Sequence, residues 1–295
     1  MDGVAVAVPM FSRVGKLQSL LKSVDETAIQ QVYIADNGRM TNKKHQLYSK
    51  NYSFNLTVFD LEYDSGIGNC RRVLSQRPTE RILLFLDPDM TLPQNHNLLI
   101  DQLQARSELG GVSGLLLEGD RIYTTASDIK EENGIIHRGN WAEKEFDLVA
   151  NRRFAEFDFI PQVGAFRREC FDDYTWDDFY RTQREHIDFF VGHHKQTMWT
   201  FGICFQVLFP HFPGGSKDYQ THRQSKIKRN ESHRYFCEKW DCDDVRVDGG
   251  TWLDTYPYYT DPSHWQKLKQ KCQDETLLET ARAISNFFRR RVTGH

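Results

Sequence analysis

Five consecutive apolar residues, Ile82 to Leu86, run straight into Asp87-Pro88-Asp89. A run this short, apolar at every position and closed by a turn signal, reads as a strand covered on both faces. Its two carboxylates then stand at the carboxyl edge of a sheet, which is where open α/β sheets bind their ligands. Pro88 fixes its own φ and drives Asp87 toward an extended conformation, so the acids sit on a stiff turn. Hard oxygen ligands held in this way suit Mg²⁺ or Mn²⁺, which bind through one or two carboxylates and a substrate's phosphates. Asp-x-Asp also describes an ordinary turn, so its meaning depends on what surrounds it.

What precedes it alternates. Val4 to Val8 reads as a buried strand ended by Pro9, and Val14, Leu17, Leu20, Leu21 and Val24 follow at helical spacing. A second strand over 31–35 ends in Asp36-Asn37-Gly38, a turn signal. A helix over 41–49, a strand over 54–59 and a glycine loop, Gly66-Ile-Gly68, opening a short helix complete the series. Strand and helix in alternation predict a mostly parallel central sheet with helices on both faces. The loop lacks the third glycine of a dinucleotide fingerprint and follows the third strand, not the first. It instead offers a backbone that a ligand can approach at a helix N-terminus, with Arg71 and Arg72 at hand for phosphate.

Beyond Met90 a helix over 98–107 and a strand over 112–117 are expected, then a polar, irregular stretch over 119–155 with a short strand or hairpin near 134–137. Residues 157–166 read as extended and apolar, with a helix starting near Arg167. Arg184-Glu185-His186-Ile187-Asp188 places three acid/base groups at a helix start, where the macrodipole favours carboxylates. Ile187, Phe190 and Val191 should face the core and turn Glu185, His186 and Asp188 to another surface. A strand over 203–209 leads into Pro210-His211-Phe-Pro-Gly-Gly-Ser216, where His211 could be a metal ligand on a pliable loop.

The chain's 295 residues could form one large α/β domain or two small ones. A formal charge of -3 and the lack of a basic stripe argue against nucleic acid as a partner. No apolar run reaches membrane-spanning length and the N-terminus enters a strand at once, so the reading is cytoplasmic. The six cysteines form no C-x-x-C pair and read as free thiols.

Taken together, these motifs resemble the GT-A glycosyltransferases, most closely the inverting enzymes of family 2, along residues 3–225. Val4 to Arg13 is similar to that family's opening strand, proline and turn, with Ser12 where asparagine is usual. Asp36 resembles the acid that contacts the nucleotide base, Gly66 to Arg71 the loop over the nucleotide, and Asp87-Pro88-Asp89 the signature that holds metal and diphosphate. Gly164-Ala-Phe-Arg167 is similar to the small-residue strand before the acceptor region, and His211 to a late histidine that completes some metal sites. One departure stands out: the family usually carries Glu-Asp before its catalytic helix, and here Glu185-His186 is followed by Asp188.

The resemblance implies a GT-A domain over 1–225, with a nucleotide-binding half at 1–118 and an acceptor half at 119–225, and a mainly helical extension over 226–295. It implies transfer of a sugar, with inversion, from a nucleotide-diphosphate donor, the uridine nucleotide first among candidates, to a carbohydrate or lipid-linked acceptor. Pro9, Asp36, Gly66, Arg71, Asp87 and Asp89 would bind the donor. Asp89, Asp87 and His211 would hold Mn²⁺ or Mg²⁺, and the base would be Glu185, then Asp188, then His186. A sugar-phosphate nucleotidyltransferase, or a nucleotide-sugar binding module without catalysis, are the other classes. In residues 275–291 an amphipathic helix is expected to pack on the domain. Its Phe287-Phe-Arg-Arg-Arg291 end gives a peripheral membrane contact as the alternative.

Overall fold

The computed structural model describes residues 3–141, 143–248 and 251–255. The expected helix over 275–291, its basic end and Cys272 lie outside the described residues. The first half alternates as expected: β1 (Val4–Met10), α1 (Val14–Asp25), β2 (Gln31–Asp36), α2 (Asn42–Tyr48), β3 (Asn55–Asp60), α3 (Ile67–Gln76) and β4 (Ile82–Phe85). These strands pair in parallel in the order β3-β2-β1-β4.

The strands divide their side chains between two cores, as the two-residue period requires. Val4, Val6, Val8 and Met10 of β1 join Leu17, Leu20, Leu21 and Val24 of α1 on one face. On the other, β1 shows only Ala5 and Ala7, and α3 lays Cys70 and Leu74 close against them. Each fully buried Val or Leu contributes roughly 1.5–3 kcal/mol relative to exposure. Arg71 follows Cys70, and the close seating of α3 brings it up to the end of β4.

The second half runs α4 (Asn97–Ala105), β5 (Leu109–Glu118), β6 (Arg121–Tyr123), β7 (Asp128–Glu132), β8 (Ile135–Gly139), β9 (Asp147–Val149), β10 (Arg152–Glu156), β11 (Gly164–Arg167), α5 (Cys170–Asp173), α6 (Glu185–Gln196), β12 (Thr200–Pro210), α7 (Lys217–Arg223), α8 (Lys226–Trp240) and β13 (Asp244–Val247). The sheet continues β4-β11-β5-β12-β10-β9, with β6 beside β5. β11 runs against both β4 and β5, so the sheet is parallel in its first half and mixed beyond it. Helices cover both faces, as the fold class requires.

Three local expectations are corrected. The stretch over 119–155 is not irregular: it holds β6 to β10, and β7 and β8 form a hairpin to which β13 adds in parallel. The hairpin turns on Asn133-Gly134, both with positive φ, a pair suited to the two-residue turns that match strand twist. The helix expected near Arg167 is a four-residue turn, and 174–184 is irregular. Finally, α6 is buried almost all round, Asp188 included, because α8 covers its outer side with Phe236 and Trp240. The expected boundary at 225 falls between α7 and α8, and residues on both sides of it share this core. Cys70, Cys170, Cys204, Cys237 and Cys242 are free thiols. Among the described residues no helix is long and apolar enough to cross a membrane.

Candidate active site

The end of β4 makes the turn that Pro88 dictates, closed by the Met90 amide on the Asp87 carbonyl (3.1 Å). The end of β12 docks alongside. Thr91 N donates to Pro210 O (3.2 Å), Phe212 N donates to Asp89 O (2.7 Å), and Met90 bridges His211. Two segments 122 residues apart, Asp89 and His211 among them, are thereby locked together at one sheet edge. They open onto a cleft of about 330 Å³ that Pro9, Arg71, Asp87, Asp89, Glu185 and His211 all line.

Asp89 Oδ2 bonds the Arg13 guanidinium and faces His211 Nε2 at 3.6 Å. Burial acts against its charge, but His211 and Arg13 outweigh that and hold the carboxyl below its usual range. The other nitrogen of His211 contacts Glu118 Oε2 at 3.1 Å. A carboxylate behind an imidazole fixes which nitrogen faces forward, here Nε2 toward Asp89.

Arg71 organises the other half. Its side chain is 2% exposed, and its donors reach Gln162 Oε1 (2.6 Å), Glu185 Oε1 (3.0 Å) and Asp87 Oδ1 (3.3 Å). Gln162 Nε2 completes the ring on Asp87 Oδ2 (3.2 Å). Glu185 is 7% exposed, and its second oxygen, Oε2, finds no hydrogen-bond partner among the described residues. Burial raises its pKa, with Arg71 opposing. The two residues before it, Gln183 and Arg184, both lie in the left-handed region (φ 58° and 67°). Strain of this kind, of order 1–3 kcal/mol per residue, persists where surrounding structure over-determines it, and such positions cluster at functional sites.

The other sequence-predicted residues fall elsewhere. His186 turns away from the cleft: Nε2 meets Ile160 O at 3.0 Å and its ring packs on Phe159 (4.3 Å). Burial, then the charges of Arg71 and Arg138, push its pKa well below the usual histidine value. Asp188 is fully buried behind α6, where Trp240 Nε1 (2.8 Å), Tyr180 OH (2.9 Å), Lys239 Nζ (3.0 Å) and Tyr174 OH (3.1 Å) all donate to it. Asp36 is likewise beneath the cleft and not on its wall. Lys44 Nζ (2.6 Å), Tyr48 OH (2.6 Å) and Gly38 N (2.9 Å) surround its carboxylate, as a buried charge requires. Asn37 takes the place on the wall.

The glycine loop is also corrected. Gly66, at φ 106°, and Gly68 make room for the 177–181 segment and not for a ligand: a Cβ on Gly68 would stand 2.2 Å from Asp177 O. The first amides of α3 are spent there too, Gly68 N on Tyr180 O (2.9 Å) and Ile67 N on Arg181 O (3.4 Å). Arg72 pairs with Asp178 on the surface. Gln162 and Glu118 are residues that sequence reasoning missed, since a lone Gln in an apolar run and a Glu at a strand end carry no signal.

No protein-family model matches the chain, and no curated protein matches it in sequence. Solved structures do resemble it. Over 82% of its length it is similar to S. aureus TarS, with a TM-score of 0.50 at 13% identity. It is also similar to TarS 1-349 in complex with UDP-GlcNAc, with a TM-score of 0.52 at 16% identity and 82% of the chain covered. The matched part is 40% of the first of those chains and 68% of the second. At these identities the likeness bears on the fold, a mixed α/β architecture of the GT-A type.

Proposed function

We propose that this chain transfers a sugar from a nucleoside-diphosphate donor to a hydroxyl of a carbohydrate or lipid-linked acceptor, with inversion and with help from a divalent cation. The observation that carries the reading is the pairing, in one cleft, of a buried Glu185 carboxylate oxygen that has no partner among the described residues with the Asp89–His211 pair. Arg71 holds Glu185 Oε1 and leaves Oε2 free to take the proton of an attacking hydroxyl. Burial makes that oxygen a stronger base than an exposed glutamate. Asp87, fixed on both oxygens by Arg71 and Gln162, is set to position the donor. That a structural neighbour was solved with UDP-GlcNAc supports a uridine nucleotide as the donor's leaving group.

For the cation, a carboxylate oxygen and an imidazole nitrogen 3.6 Å apart, with Glu118 behind the imidazole, form a mixed donor pair that suits Mn²⁺ better than the oxygen-seeking Mg²⁺. Among the described residues no cluster of three or more such side chains is found. The remaining ligands would therefore be donor phosphate and water, the usual arrangement for these ions. When bound, the cation supplies positive charge to the departing diphosphate.

The test is a panel of nucleotide sugars with Mn²⁺, reading nucleoside diphosphate released by wild type and by Glu185→Gln. Release from one donor, slowed by the substitution, is the expected result. Release of pyrophosphate from a sugar phosphate and a nucleoside triphosphate would make the chain a nucleotidyltransferase and overturn the reading.

A further inference from the structure

The oxygen of Asp89 that faces His211 is already taken. Arg13 Nη1 bonds the same Oδ2, with side chains 10% and 5% exposed respectively, so the contact is shielded from water. Arg13 is not committed to Asp89 alone. Its guanidinium lies over the Tyr219 ring at 4.5 Å, and Tyr219 in turn accepts from Arg223 Nη1 at 3.3 Å. We propose that Arg13 is a built-in cation that occupies Asp89 in the empty enzyme, and that a divalent ion binds strongly only when a diphosphate arrives to draw the guanidinium off.

The physical basis is competition for one lone-pair region. A guanidinium and a divalent ion cannot both sit on Oδ2 without cation–cation repulsion in a site that water screens poorly. A diphosphate carries planar oxygen edges that match the guanidinium fork, and its charge compensates Arg13 once Asp89 is given up. Tyr219 gives the displaced head a surface to rest on, so the swing need not lead into bulk water. Ion and nucleotide thus favour the same rearranged state, and each must tighten the other's binding by an equal factor. The consequence for the enzyme is that metal is not held without donor.

This rests on Asp89 and His211 being the cation's ligands, and the experiment separates the two ideas. Mn²⁺ binding is measured from the electron paramagnetic resonance of the free ion, with and without uridine 5′-diphosphate, in wild type and in Arg13→Gln. Wild type should bind Mn²⁺ weakly alone and much more tightly with the nucleotide. Arg13→Gln should bind Mn²⁺ alone about tenfold more tightly, with the coupling to nucleotide reduced by a similar factor. If wild type binds Mn²⁺ with nucleotide but Arg13→Gln changes neither affinity, the gate is wrong and the ligand assignment stands. If wild type fails to bind Mn²⁺ even with nucleotide, both fall. Should Arg13→Gln fold poorly, Arg13→Met, which also removes the charge and keeps the aliphatic stem, carries the same comparison. There, coupling equal to wild type would overturn the gate.

Discussion

Arg71→Met tests whether the site is held by one buried cation. The guanidinium is shared between Asp87 and Glu185 and is 2% exposed, and methionine replaces its aliphatic stem but leaves both carboxylates facing each other without a counter-charge. Removing one partner of a buried ionic cluster costs about 3–5 kcal/mol. The cation–π contact with Trp176, at 5.0 Å, is lost as well, but the methionine side chain can occupy much of the same space. The sign of the pH dependence follows from Glu185. Its pKa in the folded chain is already raised, by burial first, and loss of Arg71 removes the main opposing influence. A carboxyl whose folded pKa lies above its unfolded one binds a proton first in the native state, so stability is gained as pH falls. The deficit of Arg71→Met should therefore be largest at pH 7.5 and shrink toward pH 5. Equilibrium urea unfolding of wild type and variant at both values measures it. A deficit under about 1 kcal/mol, or one identical at the two pH values, would refute the view of Arg71 as the shared counter-ion.

Glu185→Gln should slow diphosphate release about 10²–10⁴-fold, the scale of a lost general base, while UDP affinity measured by calorimetry stays near wild type. Unchanged turnover with weakened nucleotide binding would make Glu185 a donor ligand instead. Gly68→Ala should destabilise the fold by an overpacking cost of about 1–3 kcal/mol, read as a lower melting temperature, because its Cβ would meet backbone at Asp177; an unchanged transition would mean that the 177–181 segment yields freely. His193 is buried among Tyr174, Phe189 and Phe201, and that burial pushes its pKa down to about 4 from 6.5, with the Tyr174 backbone contact opposing. It stays neutral in the folded chain while the unfolded chain takes up a proton, so stability present above pH 6.5 is lost between there and about pH 4. The loss is about 3 kcal/mol, and His193→Phe should flatten that part of the urea-midpoint profile.

The first half of the fold was legible because β1 and β4 are fully buried, β2 is mostly so, and the helices are amphipathic, so composition and period point the same way. Ile82 to Leu86, with Pro88 behind it, marks the sheet edge at which the cleft opens. The second half was harder for a physical reason. Apart from β5 and β12 its strands are three to five residues long, and several are half-exposed, so β7 shows Lys130 and Glu131 to solvent and gives no apolar run. The one legible mark in that stretch is Gly134-Ile-Ile-His137, where β8 runs from Ile135. The glycine loop misled because close approach to a ligand and close approach to the chain's own backbone demand the same residue.

Glu185, His186 and Asp188 show where local pattern stops. Adjacent residues on a helix point about 100° apart, and three spaced over one turn cannot share a cleft unless the helix is open on that side. Here α8 closes the far side, so the three groups meet three environments. Asp188 collects four donors, two of them, Lys239 and Trp240, from α8, and is spent on fixing the helix. His186 is spent on Ile160 and an aromatic nest. Of the three, Glu185 alone keeps an oxygen with no partner among the described residues, because Arg71 supplies a single bond and not two. What sets Glu185 apart from the other two is therefore not acidity in the sequence but an acceptor oxygen that the described residues leave unsatisfied at the cleft.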